Sequence, residues 1–378
     1  MRNGRRMIGA ALAAGILAAP ASALAVAPVA ALQDDRLPVV PLNQLQARLD
    51  LFKQTGAKVA RVDLFWSEIA TRRPKKPTAP RDPAYNWTRA DAILGGLVSR
   101  GIRPIVSVYS TPRWAAGVAA PRGQAFNPNM PKKPNDFGFF MQALATRYNG
   151  KSIPPGYSIK VSVRHFEIWN EPNLQLFFRP QYKKGKNVSI KNYAALVRAA
   201  YPRIKKGNRS ATVIIGVTGP KGKSNNTGQG TIDWMRGLRG QNLPFDAYSQ
   251  HIYPAAGPRA ATTAVPSWST IPQLLKELDQ FKNGRKKPMY ITEAGYTTAV
   301  TPYRRVKVSF AQQKTFLQQI WSLPTVKQPR IPAIVWFNLQ DNPAWPGGLL
   351  TFGGAKKPSY AAFQAIATRS VVPPSLRP

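Results

Sequence analysis

Short, densely apolar runs alternate along this chain with longer stretches whose apolar residues recur at helical spacing. The first kind predicts strands covered on both faces, and the second predicts amphipathic helices packed over them. Val29-Ala30-Ala31-Leu32 opens the series as a strand. Leu42 to Thr55 follows as a helix, with Leu42, Leu45, Leu49 and Phe52 on one side and Gly56 as its stop. Val59 to Leu64 reads as a strand, Ala90 to Arg100 as a helix closed by Gly101, and Arg103 to Tyr109 as a strand. Asp136 to Tyr148 is a strongly apolar helix, and Ile159 to Ile168 a strand. Lys191 to Lys205 is a helix with Tyr193, Leu196, Val197 and Ala200 on one face, followed by the apolar strand Ala211 to Val217. Helix Thr231 to Leu238, strand Phe245 to Tyr253, helix Thr270 to Phe281 and strand Pro288 to Glu293 continue the rhythm. Helix Ser309 to Ser322, strand Ile331 to Phe337 and helix Pro358 to Thr368 complete it.

About eight strand–helix repeats in one uninterrupted run predict an α/β fold with a parallel sheet, closed as a single (β/α)8 TIM barrel. A doubly wound open sheet is the rival, but no glycine-rich phosphate loop follows the first strand. No shift of composition marks an internal boundary. Residues 26–378 are therefore expected to form one domain, with Arg72 to Arg81 and Pro254 to Ser269 as rim loops.

The N-terminus does not fit that series. Met1 to Arg6 is basic, Met7 to Ala19 is apolar, and Ala21-Ser22-Ala23-Leu24-Ala25 is a small-residue cleavage pattern. This predicts a secretory signal peptide over residues 1–25 and a mature start near Val26. Its apolar run is too short to span a bilayer. Secretion or cell-wall association follows as the expected location, and Arg5-Arg6 leaves the export route open between the general and twin-arginine pathways. The chain has no cysteine, which rules out thiolate metal sites and cysteine nucleophiles.

The formal net charge is +38. The basic residues fall mostly in loops, as at Arg72-Arg73-Pro74-Lys75-Lys76, Lys183-Lys184-Gly185-Lys186 and Arg285-Lys286-Lys287. Such a field attracts polyanions, so an acidic glycan or an anionic cell wall is an expected partner. No zinc spacing, aromatic RNA-binding signature or recognition helix is present, and nucleic acid is not expected. A monomer is expected.

Against this background carboxylates are scarce. The glutamates are Glu68, Glu167, Glu171, Glu277 and Glu293. Glu171 and Glu293 each end a predicted strand, the fourth and the seventh, which would set them across the barrel mouth from one another. Alternation along the fourth strand places Phe166, Ile168 and Asn170 on one side and Glu167, Trp169 and Glu171 on the other, until Pro172 stops it. Two carboxylates across a cleft suit glycosidic bond cleavage, one protonated and one ionised. Arg61 and Tyr253 can reach Glu293 and favour its ionised form, while Trp169 and Pro172 would desolvate Glu171 and keep it protonated. Glu167, deeper along its strand, reads as a buried structural partner, and Asp34 and Asp35, at the first strand end, either touch substrate or cap the following segment, with the structural reading favoured.

Trp169-Asn170-Glu171-Pro172-Asn173, His251-Ile252-Tyr253, Ile291-Thr292-Glu293-Ala294-Gly295 and Val335-Trp336-Phe337 occur in this order. Together with Arg61 to Ile69 and Gly101 to Val106, they resemble the (β/α)8 retaining glycoside hydrolases of clan A. Glycoside hydrolase family 39 and cellulase-like members near family 5 are the most similar. The resemblance implies Glu171 as general acid and then base, and Glu293 as the nucleophile. It implies Asn170 on the sugar 2-hydroxyl, Arg61 and Tyr253 holding Glu293, His251 near the acid, and Trp336 as the floor on which the sugar stacks. Tyr109, where many relatives carry histidine, bears on substrate choice, and Trp114 is a candidate cleft-lining residue. No cofactor or metal is implied. The function expected is hydrolysis of β-linked poly- or oligosaccharide with retention. The alternatives are a non-catalytic carbohydrate- or wall-binding barrel and a basic adhesion protein without a sugar role.

Overall fold

The computed structural model describes residues 27–377, so the predicted signal segment lies outside the described residues. Its strands and helices alternate in chain order. They are β1 (Val29–Gln33), α1 (Leu42–Gln54), β2 (Val59–Phe65), α2 (Thr88–Ser99), β3 (Arg103–Tyr109), α3 (Pro134–Arg147), β4 (His165–Ile168) and α4 (Ser189–Gly207). After them come β5 (Thr212–Thr218), α5 (Thr231–Arg239), β6 (Ala247–Ile252), α6 (Ile271–Asp279), β7 (Met289–Ala294), α7 (Phe310–Ile320), β8 (Ala333–Trp336) and α8 (Pro358–Arg369). These eight barrel strands are all parallel and each pairs with its neighbours in the series, while Tyr182–Lys183 and Lys186–Asn187 form a separate short antiparallel pair. The ring closes where Val29 meets Ala333, giving the (β/α)8 barrel.

Two apolar layers hold it. Val29, Ala31, Val59, Ile105, Ile214, Ala247, Tyr290 and Ala333 fill the N-terminal half of the barrel interior, and Val372 and Leu376 of the C-terminal segment join them. The alternate strand positions, such as Ala30, Leu32, Ala60 and Val106, pack outward against the helices. Burial on both faces explains why these strands read as continuous apolar runs. Farther up the interior the same rows turn polar: Gln33, Arg61, Ser107, Glu167, Ser249 and Thr292 are all buried. The chemistry is thus stacked above an aliphatic base.

The fourth strand is shorter than its sequence predicts. Ile159 to Arg164 stays outside the barrel sheet: the Val161 N–H donates to Ser152 and the Val163 N–H to Tyr148. Val161 and Val163 are fully buried in the outer layer, so their apolar character reflects helix contact and not strand pairing. Strand β7 departs in another way. Tyr290 to Glu293 opposes Ser249 to His251, and Ile291 to Ala294 opposes Ile334 to Trp336, so β7 carries one extra residue against both neighbours. Such a bulge re-aims side chains locally.

Candidate active site

The bulge in β7 places two consecutive residues over the barrel interior. Thr292 hydrogen-bonds Ser249, and Glu293 sits opposite His251. Glu171 reaches the same point by a different route. Strand β4 ends at Ile168, and Trp169 and Glu171 then adopt left-handed backbone, with φ of 71° and 41°. Neither residue type favours that region, and such strain gathers where a site fixes a side chain. The left-handed turns undo the alternation expected through Glu171. Trp169 swings out between Phe137 and Phe178 and donates its indole N–H to Phe177, so it lies in the helix layer and does not flank the carboxylate. Asn170, expected on the opposite side from Glu167, turns inward with it: Arg61 donates to both.

The two carboxylates converge. One oxygen of Glu171, one of Glu293 and a ring nitrogen of His251 all lie within 4.8 Å of one another. His251 Nδ1 is 2.8 Å from Glu171 Oε1 and 3.4 Å from Glu293 Oε2. Glu293 Oε1 accepts from Arg61 Nη1 at 2.7 Å, and Oε2 accepts from the Tyr253 hydroxyl at 2.8 Å. Arg61 is fully buried and spends all five of its N–H donors. Nε bonds Glu167, Nη1 bonds Gln33 and Glu293, and Nη2 bonds Ser107 and Asn170.

Burial, and then the neighbouring charge of Glu293, hold the Glu171 carboxyl well above the usual carboxylate range. Burial also raises Glu293, to about 7, against the opposing pull of Arg61 and the Tyr253 hydrogen bond. The two are separated in the order the residues suggested. Glu293, however, is raised and not lowered, because desolvation outweighs its donors. Burial, with Arg61 nearby, lowers His251 well below its usual value and keeps its ring neutral. The neutral ring pairs with Glu171 through Nδ1 and Oε1, and Glu171 Oε2 has no hydrogen-bond partner among the described residues. Glu171, His251 and Glu293 have the atom types of a metal site, but both Glu293 oxygens are already engaged and the Arg61 guanidinium opposes a second cation.

Gly219 makes room for Glu171. A Cβ built there would stand 2.9 Å from the Glu171 carboxyl carbon and 2.6 Å from Leu174 Cδ1. Gly219→Ala is therefore expected to displace Glu171 and lower kcat about 10- to 100-fold, since roughly 1 Å of misplacement costs that much. Its melting temperature should stay close to wild type. Unchanged kcat would mean that the Glu171 position does not govern turnover.

The other predicted residues divide. Tyr109 is buried and donates to Asp63 at 3.2 Å, joining the polar network. Trp336 does not offer a ring face: it is fully buried at the end of β8 with its N–H on Gly347. The half-buried Phe337 that follows stands edge-on to Tyr253, and Trp345 packs on both. Trp114 lies away from the carboxylates, its N–H on Ala70 and its ring under Arg73. Asp34 is structural, bound by Arg48 at 2.8 Å.

Asp63 was not read as a site residue, and the structural reading was favoured for Asp35. Gln33 Nε2 bridges them, at 2.9 Å and 3.1 Å, and Asp63 Oδ1 is buried without a hydrogen-bond partner. Burial raises both, Asp35 strongly and with help from the charges of Asp63 and Glu293. The signal for Asp63 was present in the sequence, since strand alternation puts it on the same face as Arg61.

The model of glycosyl hydrolases family 39 matches residues 26–368. The chain belongs to that family. Of the two families its motifs resembled, family 39 is thus the one. Among solved structures, the family 39 glycoside hydrolase from Bacteroides cellulosilyticus WH2 is 20% identical with a TM-score of 0.62, over 91% of this chain and 64% of that one. The monomeric β-xylosidase from Caulobacter crescentus CB15 gives 20% and 0.62 over 92% and 70%. The GH39 enzyme from Xanthomonas axonopodis pv. citri gives 19% and 0.62 over 93% and 69%. At these identities the likeness concerns the barrel. The family 39 chain described here spans roughly two thirds of the length of each.

Proposed function

We propose that this family 39 member is a retaining β-glycoside hydrolase. The observation that carries the reading is the Glu171–Glu293 pair, within 4.8 Å and held at different protonation by unlike surroundings. Retention needs carboxyls about 5–5.5 Å apart, whereas inversion needs roughly 6.5–9.5 Å to admit a water. In the first step ionised Glu293 attacks the anomeric carbon while Glu171 gives its proton to the departing glycosidic oxygen. In the second, Glu171 removes a proton from water. That water attacks the same carbon and releases Glu293. Asn170, held at its carbonyl by Arg61, keeps its amide N–H groups for a sugar hydroxyl.

The sugar at the cleavage point is read as uncharged. Asp35, Asp63 and Glu293 crowd one wall, and Arg61, the cation in contact with Asp63 and Glu293, has no donor left for a substrate carboxylate. Acceptors of this kind suit sugar hydroxyls. The basic exterior is proposed as the part that holds the protein to an acidic wall or glycan after export. Intact, buried carboxylates within 4.8 Å of one another argue against a binding-only barrel.

A panel of aryl β-glycosides with early proton NMR of the released sugar tests this. The β anomer should form first from a xyloside, glucoside, galactoside or mannoside, and a glucuronide should be a poor substrate. A first-formed α anomer, or no turnover of any member of the panel or of β-linked polysaccharide, would overturn the reading.

A further inference from the structure

The opposite end of the barrel holds a cavity of 260 Å³, formed where β3 and β4 begin and the C-terminal segment crosses beneath them. Arg103, Lys160, Arg164 and Arg377 line it together with Ser162 and His165, and no side-chain carboxylate among the described residues does. Arg103 opens β3, and Arg164 immediately precedes β4, the strand paired to it. Their Nε atoms are both buried without a hydrogen-bond acceptor among the described residues. Neither guanidinium pairs with a carboxylate among the described residues. Orphaned charged donors are costly, and a pocket that concentrates them is completed by an acceptor from outside.

His165 adds no charge of its own. Tyr290 meets its Nε2 at 3.2 Å, and burial, with Arg164 beside it, pushes the ring down to about 4. Four cations around Ser162 make the cavity a focus of positive potential, while the ring nitrogens of His165 are taken by Tyr290 and the Ser375 backbone. Val372 and Leu376 anchor the C-terminal segment into the barrel base, which sets Arg377 at the cavity edge.

We propose that this cavity binds a tetrahedral oxyanion, a phosphate or sulfate group, which clamps the C-terminal segment to the base of the barrel. The group can be free in solution or pendant on a polymer, because the cavity opens to the surface. Planar guanidinium forks suit such oxygens better than they suit chloride. The proposal does not depend on the glycosidase reading, since the cavity faces away from Glu171 and Glu293.

The test is thermal unfolding of the full chain in inorganic phosphate against sodium chloride at matched ionic strength. Phosphate should raise the melting temperature by about 3 °C at saturating concentration. Arg103→Gln/Arg164→Gln should abolish that rise and leave glycosidase turnover unchanged. Lys160→Ala and Arg377→Ala, both at exposed positions, should each weaken phosphate binding about tenfold in titration calorimetry. A parallel arm with oligomeric polyphosphate distinguishes the sources: tighter binding than by phosphate points to a polymer-borne group, and equal binding to the free ion. An equal rise in chloride, or an undiminished phosphate effect in the double variant, overturns the proposal.

Discussion

Glu293→Gln is expected to lower kcat at least about 10⁴-fold, close to 5.4 kcal/mol at 1.36 kcal/mol per tenfold. The loss should be similar for every substrate, because no glycosyl-enzyme can form. Glu171→Gln should behave differently. With a poor leaving group it should lose about 10²–10⁴-fold, and with an activated aryl group much less, because bond cleavage then needs little proton transfer. Azide should accelerate Glu171→Ala and yield the β-glycosyl azide, which Glu293→Ala cannot make. The pH profile separates the roles further. Turnover requires ionised Glu293 and protonated Glu171, so it should rise through about 7, where Glu293 ionises, and fall at the higher pH where Glu171 does. The two limbs belong to the pair as a unit. Glu171→Gln, assayed with an activated aryl glycoside, should keep the acid limb and lose the alkaline one. An alkaline limb that survives in that variant would remove Glu171 from the acid role.

Much of this arrangement is readable from periodicity alone. Eight short apolar runs separated by amphipathic stretches specify strands buried on both faces, and a parallel closed sheet follows. Glu171 and Glu293 stand at strand ends because polar residues and Pro172 interrupt those runs. What periodicity does not show is any departure from period two. The extra residue in β7 and the left-handed Trp169 and Glu171 each invert the side on which the following side chains fall. For that reason alternation sent Asn170 to the wrong side and Trp169 into the site. The aromatic at the barrel mouth was displaced in the same way, by one position. Trp336 completes the outer layer, and Phe337 is left at the opening. Asp63 was legible from its register with Arg61, but a lone aspartate carries no motif.

Charge is distributed as unevenly as the motifs. The chain has 16 acidic residues against 54 lysines and arginines. Asp34, Asp35, Asp63, Glu167, Glu171 and Glu293 cluster at the C-terminal ends of the strands or just below them, whereas Asp50, Glu68 and Asp233 are the exposed carboxylates among the described residues. The exterior is thus strongly positive, while the barrel mouth gathers the acidic side chains. A polymer can be held by its acidic units and still present an uncharged unit to Glu293.

Arg61→Met should be the most damaging single change to the fold around the site. Arg61 neutralises Glu167 and Glu293 at once, at 2.7 Å each, inside the barrel. Its removal strands Glu167, whose side chain has no solvent exposure, and breaking one partner of such a buried pair costs about 3–5 kcal/mol. Loss of its charge also pushes Glu293 above its present value of about 7, because Arg61 is the largest of the influences that lower it. A carboxyl raised on folding contributes stability that is full below its unfolded value, roughly 4.3, and is lost as pH climbs through the folded value. The deficit in melting temperature should therefore be wider at pH 8 than at pH 5, and the acid limb of activity should move to higher pH. Arg61→Lys should keep part of the stability but not the turnover, because one ammonium cannot supply five donors in a fixed plane. In the double variant Arg61→Met/Glu167→Gln much of the lost stability should return while kcat stays low, since Glu293 and Asn170 still lack their donor. Additive losses in that cycle would mean that the two charges do not act on each other, and Arg61 would then serve Glu293 alone.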